Sequence, residues 1–192
     1  MTDKSQLNRT RIVEVARELI YEQGYAATSL SDVAKKLGIQ KGHLSYYFKS
    51  KSELMSAVAT LKTDQIRSQI EAWSLECGKA YDCLERVIAM MESAAAELAA
   101  YGCPIGTLCD ELGKGNVELQ AEVRDSFDFL LRWMTARFSS FMTPEDALIH
   151  AEQLLAMAEG VAVLGHAYRD PQMIQRQANQ IRLWLRGVCG DA

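Results

Sequence analysis

The sequence lacks several features that would place the protein in other classes. No segment approaches the roughly 18 to 20 unbroken apolar residues that a membrane-spanning helix requires, and residues 1–15, MTDKSQLNRTRIVEV, lack the apolar run of a signal peptide. We therefore expect a cytoplasmic protein that binds no membrane. Nucleophile elbows, phosphate loops, clusters of metal ligands and convincing pairs of acid and base are also absent. An enzyme is consequently a weak alternative, and no cofactor or metal is expected.

The cysteines do not suggest a disulfide framework. Five are present, an odd number in a chain for which we expect no export, so reduced thiols are predicted. Cys77 and Cys83, like Cys103 and Cys109, lie six residues apart, which is not the spacing of a metal knuckle. On one helix this separation turns a side chain by about 240° around the axis, so neither pair is predicted to share a face.

Charge is distributed unevenly along the chain. The 192 residues are enough for one domain, or for a small domain joined to a larger one. Residues 1–55 carry nine Lys or Arg against six Asp or Glu, a balance of +3, and because the net charge is −4 the remainder carries −7. A basic N-terminal part suits a nucleic-acid-binding domain, in which positive groups neutralise phosphates.

Residues 30–47, LSDVAKKLGIQKGHLSYY, have the spacing of a helix-turn-helix. Gly38 stands where the chain must turn and has no Cβ to obstruct a positive φ, so the second helix can fold across the first. The side chains predicted to point inward are Val33, Ala34, Leu37, Ile39, Leu44 and Tyr47. In this motif the second helix enters the major groove of DNA.

Ten residues in and around this motif are predicted to contact DNA. They are Thr28, Ser29, Gln40, Lys41, Gly42, His43, Ser45, Tyr46, Lys49 and Lys51. Residues 40–43 begin the second helix, where base edges are read, although a structural role is the alternative for His43. Thr28 and Ser29 offer oxygens that either cap the first helix or bond a phosphate. Ser50 caps the next helix, with Glu53 completing a capping box.

The segment GYAATSLSDVAKKLGIQKGHLSYYFKSKSEL, residues 24–54, resembles the N-terminal part of the tetracycline-repressor (TetR) family of transcriptional regulators. Its most specific part is residues 41–54. Where the family commonly has a phosphate-binding tyrosine this chain has Ser45, and where it commonly has histidine this chain has Tyr47. Tyr46 is therefore expected to make the tyrosine contact to phosphate alone.

The resemblance implies an all-α protein of about nine helices, with a helix-turn-helix DNA-binding domain over residues 1–50 and a helical effector-binding and dimerisation domain over residues 51–192. Periodicity and capping signals agree, and they show no strand-like alternation from residue 80 onward. Outside the helix-turn-helix, the predicted helices cover about residues 7–23, 51–76, 80–100, 104–112, 117–141, 143–168 and 171–187. Pro144 and Pro171 each follow a capping residue, as expected of a first helical position.

The last two helices are implied by the resemblance to pair with their copies in a homodimer. The first of them is rich in small residues that permit close helix approach, namely Ala151, Ala156, Ala158, Gly160, Ala162, Gly165 and Ala167. Packing within one chain is the alternative. A dimer also suits the function, because one helix-turn-helix covers half of a two-fold symmetric DNA site.

An effector pocket among the C-terminal helices is likewise implied by the resemblance. Its predicted lining is Met91, Cys103, Leu108, Phe127, Leu131 and Met134. Methionine and aromatic side chains adapt to apolar ligands. For each residue taken singly, a place in the core is the stronger interpretation.

Cys103 is a candidate redox or electrophile sensor. It follows Gly102 at a predicted helix N-terminus, where the helix dipole would lower the pKa of its thiol. Residues 102–108, GCPIGTL, are also similar to a segment of family members that sense oxidants or electrophiles through a cysteine. The alternative is a small buried apolar side chain.

The sequence thus predicts a ligand-responsive transcriptional regulator, most simply a repressor. It would bind a palindromic double-stranded DNA operator as a homodimer and leave it on a small-molecule or electrophile/oxidant signal. An activator or a corepressor-dependent regulator of the same fold is the alternative. A helical adaptor whose N-terminal domain binds protein is a third, weaker one.

Overall fold

The computed structural model describes residues 3–113 and 115–190, except for the side chains of residues 3 and 4. All regular secondary structure in this part of the chain is helical, which confirms the all-α prediction. The helices are α1 (Asp3–Gln23), α2 (Leu30–Leu37), α3 (Lys41–Tyr47), α4 (Lys51–Glu76), α5 (Ala80–Ser93), α6 (Ala95–Tyr101), α7 (Gly106–Gly113), α8 (Val117–Phe138), α9 (Pro144–Tyr168) and α10 (Pro171–Cys189).

The extra helix relative to the sequence prediction arises at Ala94. This residue has φ −91° and ψ 10°, and it divides the predicted helix over residues 80–100 into α5 and α6. The hydrogen-bond ladder is almost continuous, because the Ala94 N–H donates to the Met90 carbonyl at 3.1 Å and the Leu98 N–H donates to the Ala94 carbonyl at 2.9 Å. No glycine or proline marks the break.

The residues form two compact units, and the first comprises the chain up to Gln65 together with Thr107–Ser126. Within it α1 packs on α2, and the Lys36 ammonium lies 3.5 Å from Glu18 and 3.6 Å from Glu22. The hydroxyls of Thr63 on α4 and Ser126 on α8 share a hydrogen bond of 2.9 Å.

The second unit comprises Ile66–Gly106 and the chain from Phe127 onward. In it α10 packs against α5, α6 and α9 around an aliphatic core. Arg182 joins α10 to α5, with Nε 2.9 Å from Glu85 and Nη2 2.8 Å from Glu92. The division into a DNA-binding domain and an effector domain is functional, and it stays a prediction.

Cys77 and Cys83 form a disulfide, with their Cα atoms 5.4 Å apart. The expectation of a reduced pair is therefore wrong. The argument from helical rotation does not apply to these residues, because α4 ends at Glu76 and Cys77 lies in the junction before α5. The remaining cysteines, Cys103, Cys109 and Cys189, are not part of a disulfide.

One described helix, α9, is long and apolar enough to cross a membrane by length and composition, and 28% of its most apolar window is buried. This was not predicted from the sequence, because Glu152 and Glu159 interrupt the apolar residues of α9.

Candidate nucleic-acid interface

The predicted helix-turn-helix forms from strong local signals. Ser29 caps α2, because its hydroxyl accepts from the Asp32 N–H at 3.2 Å while the Asp32 carboxylate accepts from the Ser29 N–H at 2.8 Å. Gly38 ends α2 in the left-handed region at φ 68°. This conformation costs glycine little and lets α3 begin at once after Gln40.

The inner face of α3 is anchored by burial. Leu44 and Phe48 are both fully buried, and the Arg9 guanidinium lies 4.8 Å from the centre of the Phe48 ring. Tyr47 is half-buried, and its hydroxyl accepts a hydrogen bond of 3.3 Å from the Asn8 side chain on α1. With this face fixed, the opposite face of α3 has one orientation relative to α1.

Of the six helix-turn-helix side chains predicted to point inward, three are buried, namely Val33, Ala34 and Leu44. Leu37, Ile39 and Tyr47 are only half-buried. Phe48 was missed, although an aromatic residue directly after the second helix is a visible sequence signal.

The opposite face of α3 is exposed and polar, and we refer to it as the reading face. It consists of Gln40, Lys41, Gly42, His43 and Tyr46, all of which are exposed. The His43 ring stacks on Tyr47 at 5.7 Å, and Tyr46 meets the same ring edge-on at 5.2 Å. Tyr47 therefore orients two side chains of the reading face.

Ser45 and Lys49 are engaged by the backbone of α3 itself. The Ser45 hydroxyl donates to the Lys41 carbonyl at 3.0 Å, and the Lys49 ammonium donates to the Ser45 carbonyl at 2.8 Å. Lys49 is exposed and stands at the C-terminal end of α3, where a positive charge is favourable. Its ammonium has further N–H groups for a phosphate, whereas Ser45 has used its one donor.

Thr28 has an internal role that sequence reasoning missed. Its side chain is buried, and its hydroxyl donates to the Gly24 carbonyl at 2.8 Å and accepts from the Gln23 amide at 3.2 Å. The cap falls to Ser29 alone, so the predicted cap at Thr28 is wrong. A phosphate contact at Thr28 stays a prediction.

Ser50 caps α4 as predicted. Its hydroxyl accepts from the Glu53 N–H at 3.0 Å, which satisfies one free donor of the first turn. The Glu53 carboxylate accepts from the Lys49 N–H at 2.7 Å, one residue before the position expected for a capping box.

Lys51 lies in a small polar cluster against the loop between α1 and α2. Its ammonium donates to the Ala26 carbonyl at 3.2 Å and lies 4.1 Å from the centre of the Tyr25 ring. Burial lowers the pKa of Lys51, while the nearby Glu111 and Asp32 carboxylates oppose this shift. A phosphate contact at Lys51 stays a prediction, and it would have to use the remaining N–H groups.

Glu111, on α7, completes this cluster and was not foreseen. Its carboxylate accepts from the Ala26 N–H at 3.0 Å. Gly24 has φ +90°, and a Cβ there would lie 2.9 Å from the Glu111 Oε1 atom. Glycine at position 24 thus serves both the turn after α1 and the approach of Glu111. No local pattern could reveal a contact across 85 residues.

The predicted effector residues are only partly brought together. Met91 and Met134 are buried in the core of the second unit, and Cys103 and Leu131 pack against that core. Phe127 and Leu108 are half-buried, and Leu108 belongs to the first unit. The ligand-binding role of all six stays a prediction.

Cys103 does not have the lowered pKa that its sequence position suggested. Burial, the larger cause, and the neighbouring Glu159 carboxylate together raise the pKa of its thiol to about 12. The prediction from the helix dipole is wrong, because α7 begins only at Gly106. The Gly106 N–H donates to the Cys103 sulfur at 3.4 Å, which only partly offsets the two larger effects.

The small residues of α9 divide between two faces. Ala151, Ala162 and Gly165 are buried, and Gly165 leaves room for the Ile174 side chain of α10. A second set lies exposed on the other side of the helix, and we call it the α9 stripe. It comprises Ile149, Ala156, Gly160, Val163 and Ala167. Part of the small-residue pattern is therefore explained by packing within the chain, and part is not.

Comparisons with known proteins agree with this architecture. The family model described as bacterial regulatory proteins, tetR family, matches residues 12–58. A TetR transcriptional regulator from Chloroflexus aurantiacus superimposes with a TM-score of 0.85 at 22% identity, covering 96% of each chain. A TetR transcriptional regulator from Legionella pneumophila gives a TM-score of 0.82 at 23% identity, covering 91% of this chain and 95% of that one.

Proteins of similar sequence are also described as helix-turn-helix transcriptional regulators. An uncharacterized HTH-type transcriptional regulator of Lactococcus lactis subsp. lactis is 23% identical over 87% of each chain. The HTH-type transcriptional regulator AcrR of Shigella flexneri is 36% identical over 63 residues, which are 33% of this chain and 29% of that protein. The higher identity thus covers about a third of this chain.

Proposed function

The chain belongs to the TetR family of helix-turn-helix transcriptional regulators, and from this premise we propose that it is a homodimeric, ligand-responsive repressor of a palindromic operator. The reading face carries this proposal. It combines two groups that distinguish bases, Gln40 and His43, with a cation and an exposed tyrosine, Lys41 and Tyr46.

The electrostatics of the N-terminal part support DNA as the ligand of this face. Residues 1–55 carry a balance of +3 against −7 for the rest of the chain. Lys41 and Lys49 are both exposed, one at each end of α3. Phosphate contacts of this kind supply much of the affinity and set the orientation on the duplex, while the bases are read by the groups between them.

The α9 stripe supports a homodimer. Its positions are separated by seven, four, three and four residues, so they fall on one face of the helix. Val163 is 60% exposed and Ile149 is 51% exposed, which leaves apolar surface in contact with water. Small residues between them allow a second helix to approach closely. A two-fold dimer on this face would present two copies of α3 to two half-sites.

The effector part of the proposal rests on the interior of the second unit. Met91, Met134 and Leu131 give this interior adaptable apolar side chains. An effector acts only if it binds the DNA-free arrangement more tightly than the DNA-bound one. A small apolar molecule that inserts among these side chains and repacks α5, α8 and α9 would meet this requirement. We also propose that the protein is cytoplasmic, because a regulator that binds DNA must be in the compartment that contains the DNA.

Selection from a random duplex library, followed by titration of the enriched duplex at several salt concentrations, tests the DNA-binding proposal. We expect a palindromic consensus and a binding constant that falls steeply with salt. Lys41→Ala should weaken binding to all duplexes and lower the salt slope by about 1, whereas His43→Ala should change the preferred sequence.

Lys79→Ala is the matched control, because Lys79 is an exposed lysine outside the helix-turn-helix. It should leave both the affinity and the salt slope unchanged. Failure to enrich any sequence, or equal effects of Lys41→Ala and Lys79→Ala, would refute the assignment of the reading face.

A further inference from the structure

A disulfide closes the junction between α4 and α5. Cys77 directly follows the last residue of α4, and its N–H still donates to the Trp73 carbonyl at 2.9 Å. Cys83 lies in the first turns of α5, where its N–H donates to the Lys79 carbonyl at 3.2 Å. With 5.4 Å between the two Cα atoms, the bond fixes the last turn of one helix to the beginning of the next.

The two sulfurs lie in different surroundings. Cys83 is 2% exposed and belongs to the hydrophobic core of the second unit. Cys77 is half-buried and is followed by the exposed residues Gly78 and Lys79. A small thiolate from solution therefore reaches the sulfur of Cys77 more easily than that of Cys83. When Cys77 is attacked, Cys83 is the leaving group.

We propose that this pair is a thiol–disulfide exchange site for low-molecular-weight thiols and disulfides, and that its redox state alters operator affinity. The second half of the proposal rests on the DNA-binding function proposed above. The chemistry is that of ordinary exchange through a mixed disulfide.

The exchange balances with a thiol and its disulfide alone. A thiolate RS⁻ forms a bond to the Cys77 sulfur, the bond between the two protein sulfurs breaks, and Cys83 leaves as a thiolate that takes a proton from solvent. A second RSH, as its thiolate, attacks the outer sulfur of the mixed disulfide and releases Cys77 as a thiol. In total, one protein disulfide and two RSH give two protein thiols and RSSR. The reverse reaction uses RSSR as the two-electron oxidant.

The position of the pair connects this chemistry to α4. This helix begins at Lys51, shortly after α3, and continues without interruption to Glu76, the residue before Cys77. Ile70 and Trp73 in its last turns are buried in the same core as Cys83. The disulfide holds the last turn of α4 in this packing, so less conformational freedom is left to be lost when DNA binds. Reduction removes the constraint and should weaken binding.

The first experiment follows the thiols of the full-length protein in glutathione buffers of graded redox ratio, using alkylation and peptide mapping. We expect Cys77 and Cys83 to change together between protected and alkylated states, and to re-form the disulfide when glutathione disulfide is added. Cys109→Ser, which removes a half-buried thiol outside the disulfide, is the control, and its Cys77–Cys83 pair should titrate identically. A pair that stays oxidised at every ratio, or that fails to re-form, overturns the exchange site.

The second experiment measures binding of the selected duplex by the oxidised protein, by the reduced and alkylated protein, and by a Cys77→Ser/Cys83→Ser variant. We expect reduction to weaken binding about tenfold, a usual size for coupling between two sites, and the variant to match the reduced form in either buffer. The alkylated wild type needs no substitution, so it keeps the test valid if the variant folds poorly.

The outcomes separate the two proposals. If the protein binds the duplex in both states, and binds it equally or more tightly after reduction, the redox inference is overturned. The proposed DNA-binding function is then unaffected. Absence of specific binding in both states overturns the proposed function, and with it the redox control of binding, while the thiol titration still decides whether the exchange site exists.

Discussion

Replacing Gly24 with alanine tests the link between α7 and the loop after α1. The substitution imposes two separate costs. Gly24 has φ +90°, a region that alanine rarely adopts, and its new Cβ would lie 2.9 Å from the Glu111 Oε1 atom. Glu111 has a flexible side chain, so it can swing away, but it then loses the hydrogen bond from the Ala26 N–H.

The magnitude follows from these two costs. A non-glycine residue in the left-handed region costs about 1 to 2 kcal/mol, and the lost hydrogen bond adds about 1 kcal/mol. Gly38 provides a matched comparison, because it has φ +68° but a Cβ added there would meet nothing within 4 Å. Gly38→Ala should therefore cost only the first amount, so Gly24→Ala should be the more destabilising by about 1 kcal/mol.

The assay is thermal unfolding of both variants at one protein concentration, in the wild-type and Glu111→Ala backgrounds. For a chain of this size 1 kcal/mol corresponds to a midpoint shift of about 2 to 4 °C. We expect Gly24→Ala to lower the midpoint further than Gly38→Ala does, and the difference to vanish once Glu111 is alanine. An equal effect of Gly24→Ala in the two backgrounds would show that Glu111 does not pack against Gly24.

Two further predictions concern the α9 stripe and the Cys103 thiol. Val163→Glu should convert the dimer to a monomer in analytical ultracentrifugation, whereas Val117→Glu, at a residue that is 70% exposed outside the stripe, should leave it intact; a dimeric Val163→Glu protein would contradict the interface. Because its pKa is about 12 in place of 9.0, Cys103 should react with iodoacetamide at pH 8 roughly a thousandfold more slowly in the folded than in the unfolded protein, with the rate rising as pH rises. Peptide mapping against Cys109 measures this, and rapid alkylation of folded Cys103 would contradict the raised pKa.

Local signals predicted most of the fold. The capping serine and Gly38 define the two helices of the helix-turn-helix, since both act on the backbone within a few residues. Thr143 and Asp170, each followed by proline, likewise begin α9 and α10 at the predicted positions. These features depend on steric contacts and hydrogen bonds between residues that are close in sequence, so they can be predicted from the sequence alone.

The features that the sequence did not reveal depend on distant partners or on small choices between neighbours. Glu111 finds Ala26 only after the chain has folded, and nothing near either residue indicates it. Thr28 and Ser29 are chemically similar, and only packing decides which one turns inward. The disulfide was missed because the argument from helical rotation treated Cys77 and Cys83 as residues of one helix. The predicted helices over residues 51–76 and 80–100 already left Cys77 between them, as the structure does.

The two-sided character of α9 has a consequence for how such a regulator can diversify. Its inner small residues, among them Ala151 and Gly165, are constrained by the chain's own interior, whereas Ala156 and Gly160 face outward and are free of that constraint. If the α9 stripe forms the dimer interface proposed above, exchanges on the outer side would change which subunit can bind there and leave the interior packing of the chain unchanged. A cell that holds several related proteins of this kind could keep them from forming mixed pairs by varying this one surface.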